Sequence, residues 1–163
     1  MVTRRFIATF VPNSISTISG TVVFEQTHAI LPVRVHFQLS GFKRKGQIHA
    51  IHIHEYGDLS NGCISLGGHW NPTNTQHGCF QDGYNHHAGD LINNLIVQED
   101  KCFVYEYMDP FVTLFGKDSI LGRSVVIHEG VDDLGRGGFE DSRITGHAGG
   151  RLTCAVIGWS SSP

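Results

Sequence analysis

Six histidines and one aspartate stand at spacings that could build a two-metal site: His52, His54, His69, His77, His87, His128 and Asp90. Imidazole is the commonest protein ligand for metals, and its neutral form suits both copper and zinc. His52 and His54 are one residue apart, so on a strand both rings share a face while Ile51 and Ile53 take the other. Such a pair alone is a weak signal. It gains weight from His69, His77 and His87, with Asp90 three residues after His87. Three imidazoles and a carboxylate form a ligand set for tetrahedral zinc. His128 closes a later strand and could return beside His52 and His54. An all-imidazole set suits copper, because imidazole tolerates both of its oxidation states. His86 competes with its neighbour, and the His-x-x-Asp spacing selects His87. His49 has the parity of Ile51 and Ile53, which makes it a hydrogen-bonded core residue and not a ligand.

These side chains need strands to position them. Val33, Val35, Phe37 and Leu39 alternate with Arg34, His36 and Gln38, as on a half-buried strand. Similar runs cover 5–11, 19–26, 47–55, 90–97, 101–107, 124–128 and 151–158, about eight strands in all. No segment has the periodicity of an amphipathic helix. Residues 62–89 and 129–150 show no sustained period, are rich in glycine and polar residues, and exceed ordinary hairpin loops, which marks them as functional. With 20 glycines against 5 prolines, the chain has material for many tight turns. Its 163 residues fit one domain, 1–163. The segment 160–163 is expected to be a loose tail.

A net charge of −3 and the lack of a basic patch exclude nucleic acid as a general partner. No apolar run approaches the roughly 20 residues needed to span a membrane. Arg4 and Arg5 precede an apolar run, but Thr9 interrupts it and Pro12 ends it. This start is expected to be a first strand of an unsecreted chain, not a leader.

Several stretches together resemble copper/zinc superoxide dismutases of the cytosolic type. They are His52-Ile53-His54-Glu55-Tyr56-Gly57-Asp58, Gly62-Cys63, and His69-Trp70-Asn71-Pro72. The later run follows in order: Val126-Ile127-His128-Glu129, Asp132 to Gly138, Gly146-His147-Ala148-Gly149 and Arg151-Leu152-Thr153-Cys154. The resemblance implies an all-β fold, an eight-stranded Greek-key barrel or sandwich of immunoglobulin-like type with two long functional loops. It implies one copper per chain on His52, His54, His69 and His128, and one zinc on His69, His77, His87 and Asp90. His69 would bridge the two ions. Asp132 would tie His52 to His77. Arg151 would draw the superoxide anion to copper. Cys63 and Cys154 would form a disulfide, whereas Cys79 and Cys102 match nothing in the family and read as free thiols.

The loop Glu140-Asp141-Ser142-Arg143-Ile144-Thr145-Gly146 resembles the family's charged loop, so Glu140, Asp141, Arg143 and Thr145 would tune substrate steering. Ile144 occupies the family's lysine position, and the positive charge stands at Arg143 instead. Gly68 and Trp70 replace the usual proline and phenylalanine, and one extra residue separates His77 from His87. The resemblance further implies a homodimer, with contacts at Tyr56-Gly57, Leu121-Gly122 and Val156-Ile157-Gly158-Trp159, a cytoplasmic location, and a copper chaperone as partner. The rival reading is a non-enzymatic relative, a decoy or copper-delivery module. Such relatives lack some copper ligands or the arginine, and all are present in this chain.

Overall fold

A computed structural model describes residues 2–161. The alternation seen in the sequence becomes a nearly closed barrel of antiparallel strands. Strand β1 is Arg4–Phe10, β2 Ser19–Gln26, β3 Val33–Ser40 and β4 Ile48–His54. Strand β5 is Ser60–Cys63, β6 Asn94–Ile96, β7 Phe103–Asp109, β8 Ser124–His128 and β9 Arg151–Trp159. The sheet order is β6-β4-β8-β9-β1-β2-β3-β7, and β5 lies outside it. The chain crosses over between β3 and β4 and again between β7 and β8, as a Greek key requires. No helix is long and apolar enough to cross a membrane.

In β3 every second side chain is buried, and Val35 and Phe37 stand opposite Phe24 and Val22 of β2. These residues join Phe6, Leu39, Ile51, Ile53, Leu95 and Ile127 in one core. Each large side chain contributes about 1.5–3 kcal/mol by leaving water. Strands β4 and β8 break the half-buried pattern, because almost every residue in them is covered. Their inward residues, Ile51, Ile53, Val125 and Ile127, belong to the core. Their outward residues, His52, His54 and His128, are covered by the two long loops.

The stretch 90–97 is not the continuous strand its composition suggests. Residues Ala88–Asp90 form a tight helical turn, Leu91 and Asn93 take positive φ of 48° and 58°, and only Asn94–Ile96 pairs with β4. The first loop contains the short strand β5, and the second contains one helical turn, α1, Ser142–Thr145. The expected tail is anchored at its start, where the Ser160 amide donates to the Arg5 carbonyl at 3.0 Å. Ser162 and Pro163 lie outside the described residues.

A disulfide joins Cys63 at the end of β5 to Cys154 in β9, across 91 residues of chain. Cys79 and Cys102 are free. Closing so long a loop restricts the unfolded chain most. Cys154→Ser is expected to lower unfolding free energy by about 2–5 kcal/mol in denaturant titration. An unchanged midpoint would show that the loop is held without it.

Candidate metal centre

Strand geometry aims the first two rings. His52 and His54 lie on the outer face of β4, opposite Val126 and Ser124 of β8. The ladder between β8 and β9 shifts register at Ile127/His128. A bulge of this kind re-aims a side chain, and it brings His128 beside His52 and His54. The first loop then runs back along β4. The Trp70 amide donates to the Ile53 carbonyl at 2.7 Å and the Gly89 amide to the Trp70 carbonyl at 2.8 Å. A side chain at Gly89 would strike the Ile53 carbonyl, so this close approach requires glycine. His69 is thereby laid against His52, with ring centroids 4.0 Å apart.

Each copper-side ring has its outer nitrogen tied and its inner one directed at the cluster. His52 Nε2–H donates to Asp132 at 2.7 Å, His54 Nδ1–H to the Gly67 carbonyl at 3.0 Å, and His128 Nδ1–H to the Gly149 carbonyl at 3.3 Å. These bonds fix the tautomer and leave lone pairs on His52 Nδ1, His54 Nε2 and His128 Nε2. His52 Nδ1 and His69 Nε2 are buried without a hydrogen-bond partner, and His54 Nε2 faces His128 Nε2 at 3.3 Å. Lone pairs converging in a buried space suit a cation. The four rings form one group that could hold a metal ion. An all-nitrogen set fits copper.

The second group is built on one oxygen. Asp90 Oδ1 lies 2.9 Å from His69 Nδ1, 2.9 Å from His77 Nδ1 and 3.2 Å from His87 Nδ1. Those separations approach the roughly 3.3 Å edges of a tetrahedral zinc shell. His69 belongs to both groups, Nδ1 in one and Nε2 in the other. Asp132 spans them from behind, accepting from His52 Nε2 at 2.7 Å and His77 Nε2 at 2.8 Å. His86 joins neither group. Its Nδ1–H donates to the His87 carbonyl at 2.6 Å and its ring packs edge-on against Phe111. His49, as its parity predicts, is buried and hydrogen-bonded, with Nδ1 donating to the His128 carbonyl at 2.8 Å.

Burial, reinforced by the nearby His69 ring, holds the His52 and His54 pKa values well below the ordinary imidazole value. The same causes bring His128 down to about 4. The copper-side rings are therefore neutral, which is the ligating form. Burial would also lower His77, but hydrogen bonds to Asp132 and Asp90 outweigh it and raise the ring to about 9. Burial pushes Asp90 and Asp132 up, yet the histidine hydrogen bonds outweigh it and hold both well below the usual carboxylate range.

Arg151 stands opposite His128 in the β8–β9 ladder. Its guanidinium donates to the carbonyls of Cys63 at 2.6 Å, Ile64 at 3.2 Å and Gly67 at 2.5 Å. The Gly67 carbonyl thus serves both Arg151 and His54. The charged loop reaches the site through its backbone, since the His77 amide donates to the Arg143 carbonyl at 2.9 Å. The Arg143 side chain lines an outer groove with Thr75, Gln76 and Arg136. Glu140 is exposed, while Asp141 accepts from His147 Nδ1 at 2.7 Å and from Thr145 Oγ1.

Sequence reasoning missed Asn93 and Asn94. Asn93 Nδ2 donates to Asp132 and to the Gly78 carbonyl, both at 3.0 Å, while its Oδ1 accepts from the Phe80 amide. The Asn94 side chain bonds both the amide and the carbonyl of Asp132. The available signal was a pair of adjacent asparagines interrupting the hydrophobic run 90–97.

Three comparisons bear on this geometry. Residues 18–157 match the family model of copper/zinc superoxide dismutase. Superoxide dismutase [Cu-Zn] 5 of Dictyostelium discoideum is 45% identical over 143 residues, covering 88% of this chain and 91% of that protein. Superoxide dismutase [Cu-Zn] of Candida albicans is 44% identical over 143 residues, with the same coverage of 88% and 91%. The crystal structure of the clock protein EA4 superposes with a TM-score of 0.87 at 38% identity, covering 96% of this chain and 95% of that one.

The two adjacent histidines give a direct check. Zinc titration of His87→Ala is expected to show at least about tenfold weaker binding, the loss typical when an aligned ligand or its support is removed. His86→Ala is expected to bind zinc as the parent does. The reverse pattern would mean that the register across the loop is misassigned.

Proposed function

This chain belongs to the copper/zinc superoxide dismutase family, and on that premise we propose how its residues divide the work of dismutating superoxide. The observation that carries the reading is the convergence of four buried ring nitrogens beside a carbonyl-anchored arginine. His52, His54, His69 and His128 would hold copper, which would supply the one-electron chemistry by which two superoxide ions and two protons become oxygen and hydrogen peroxide. His69, His77, His87 and Asp90 would hold zinc, which would have no redox role and would fix the first loop in place.

His69 offers one ring nitrogen to each group, and Nε2 is the atom at which this chain would hold a proton for the product. Asp132 keeps His52 and His77 in the tautomers that ligate. Arg151 remains charged despite partial burial, since a guanidinium does not deprotonate at working pH. Three of its hydrogen bonds go to carbonyls, which fixes the plane of the fork and leaves further donors for an anion. The chain carries −3 overall, so encounter with an anion depends on local positive charge at the site. Arg143 adds to that field from the neighbouring loop, and Glu140 and Asp141 oppose it, with Thr145 holding Asp141.

The working unit is read as a homodimer of single-domain chains. Tyr56, Leu121 and Trp159 are 52%, 39% and 59% exposed, a set of large apolar side chains without cover. A side chain at Gly57 would strike the Gly122 carbonyl in the same region. Burial of the copper-side nitrogens favours delivery of copper by a chaperone. The free thiols of Cys79 and Cys102 suit the cytoplasm.

Arg151→Ala is expected to cut superoxide turnover at least about tenfold, with copper and zinc content unchanged. Arg143→Ala is expected to have a smaller effect that fades as salt rises, because exposed charges are screened within roughly 10 Å at 0.1 M. Coincident rate-against-ionic-strength curves for parent and Arg143→Ala would remove Arg143 from the steering role. Light scattering at micromolar concentration is expected to report a dimer; a monomer there would refute the assembly.

A further inference from the structure

His54 and His69 meet as an isolated antiparallel bridge. It is framed by the Trp70 amide on the Ile53 carbonyl at 2.7 Å and the Glu55 amide on the Gly68 carbonyl at 2.9 Å. So short a pairing has little stability of its own. Yet both residues aim a ring at the copper-side group, and its geometry depends on the angle between them. Their ring centroids are 5.1 Å apart and their planes stand at 67°.

One cation lies across this strip. Arg123, half-buried at the entry to β8, donates from Nη1 to the Glu55 carbonyl at 2.9 Å and from Nε to the Ser119 carbonyl at 3.2 Å. Its guanidinium carbon lies 3.1 Å from the centre of the Trp70 ring. Glu55 follows His54 and Trp70 follows His69, so a single side chain grips the next residue after each ligand. Trp70 itself packs against the barrel core, and its carbonyl accepts from the Gly89 amide at 2.8 Å. Of the two long cations, only arginine can bond carbonyls through its edge while its face covers a ring. Indole is the strongest aromatic partner for such a face. Neither Arg123 nor Trp70 belongs to the metal groups.

We propose that Arg123 is a positioning residue for the copper-side ligands, acting through Trp70. Successive side chains of an extended strip point to opposite sides, so a fixed indole fixes the His69 ring across from it. The bond to the Glu55 carbonyl fixes the partner side of the strip, beside His54. Without the clamp the strip can twist about its few rungs, and the His69 ring turns relative to His54. The zinc-side group is less affected, because His77, His87 and Asp90 stand outside the strip. The inference rests on the reading of these rings as copper ligands.

The test titrates copper(II) into the zinc-loaded protein against a chelator of known affinity, and records the EPR spectrum of the fully loaded form. Arg123→Met, which keeps the bulk of the stem, is expected to bind copper at least about threefold more weakly, the loss of one cation–π contact, and to change the copper hyperfine splitting. Trp70→Leu is expected to act in the same direction, and the double variant to bind no more weakly than the worse single variant. Trp70→Phe retains an aromatic face and is expected to fall between parent and Trp70→Leu; it carries the test if the larger changes prevent folding. Denaturant unfolding is measured alongside. Parent-like copper affinity and spectrum in variants that only lose stability would overturn the proposal, and so would effects that add in the double variant. A parent that takes up no copper would overturn the enzymatic reading and this proposal together. Unchanged variants beside a copper-binding parent would overturn this proposal alone.

Discussion

Two carboxylates and six imidazoles are buried together outside the barrel wall, and everything else in the structure answers to that burial. The side chains of Asp90 and Asp132 are fully covered. A buried carboxylate costs several kcal/mol unless charge and hydrogen bonds compensate it. The imidazole N–H groups supply part of that compensation, through Asp132 with His52 and His77. What they cannot supply is a partner for the inward nitrogens, which is the role of two cations. Asp132 also couples the two halves, because one carboxylate fixes a ring from β4 and a ring from the first loop.

The barrel provides the fixed side of the site and the loops provide the movable side. Strands β4 and β8 can present histidines outward because Ile51, Ile53, Val125 and Ile127 anchor the same strands in the core. The loops are then pinned at several points. Trp70 and Gly89 bond along β4, the disulfide ties β5 to β9, and the Arg143 carbonyl holds the His77 amide. Gly146 belongs to the same set. It has φ of 69°, and a side chain there would meet Asp132 and the His77 ring. Arg151 depends on the same pinning, since its three carbonyl acceptors all belong to the first loop.

Much of this was legible in the sequence because strand periodicity and ligand chemistry act locally. The alternation 33–39 placed β3 and its inward face, and the His-x-H pair gave the orientation of β4 without knowledge of its neighbours. The parity of His49 and the His-x-x-Asp spacing divided the remaining histidines as the geometry does, with His49 in the core and His87 beside Asp90. Other features depended on contacts far apart in the chain. The Cys63–Cys154 pairing and the tie from Asp132 came from family resemblance, not from spacing. The run 90–97 read as a strand because Leu91, Ile92, Leu95 and Val97 are apolar. The positive φ of Leu91 and Asn93, set by the need to place Asp90 and hold Asp132, overrode that propensity. Arg143 could be identified as a charge, but the groove its side chain lines depends on how one helical turn is rotated.

The central claim is that the buried groups form two distinct cation sites joined through the His69 ring. The most direct test is elemental analysis of the fully loaded protein after exhaustive dialysis. The account predicts one copper and one zinc per chain. Zinc alone, with no copper taken up by the four converging imidazoles, would contradict it.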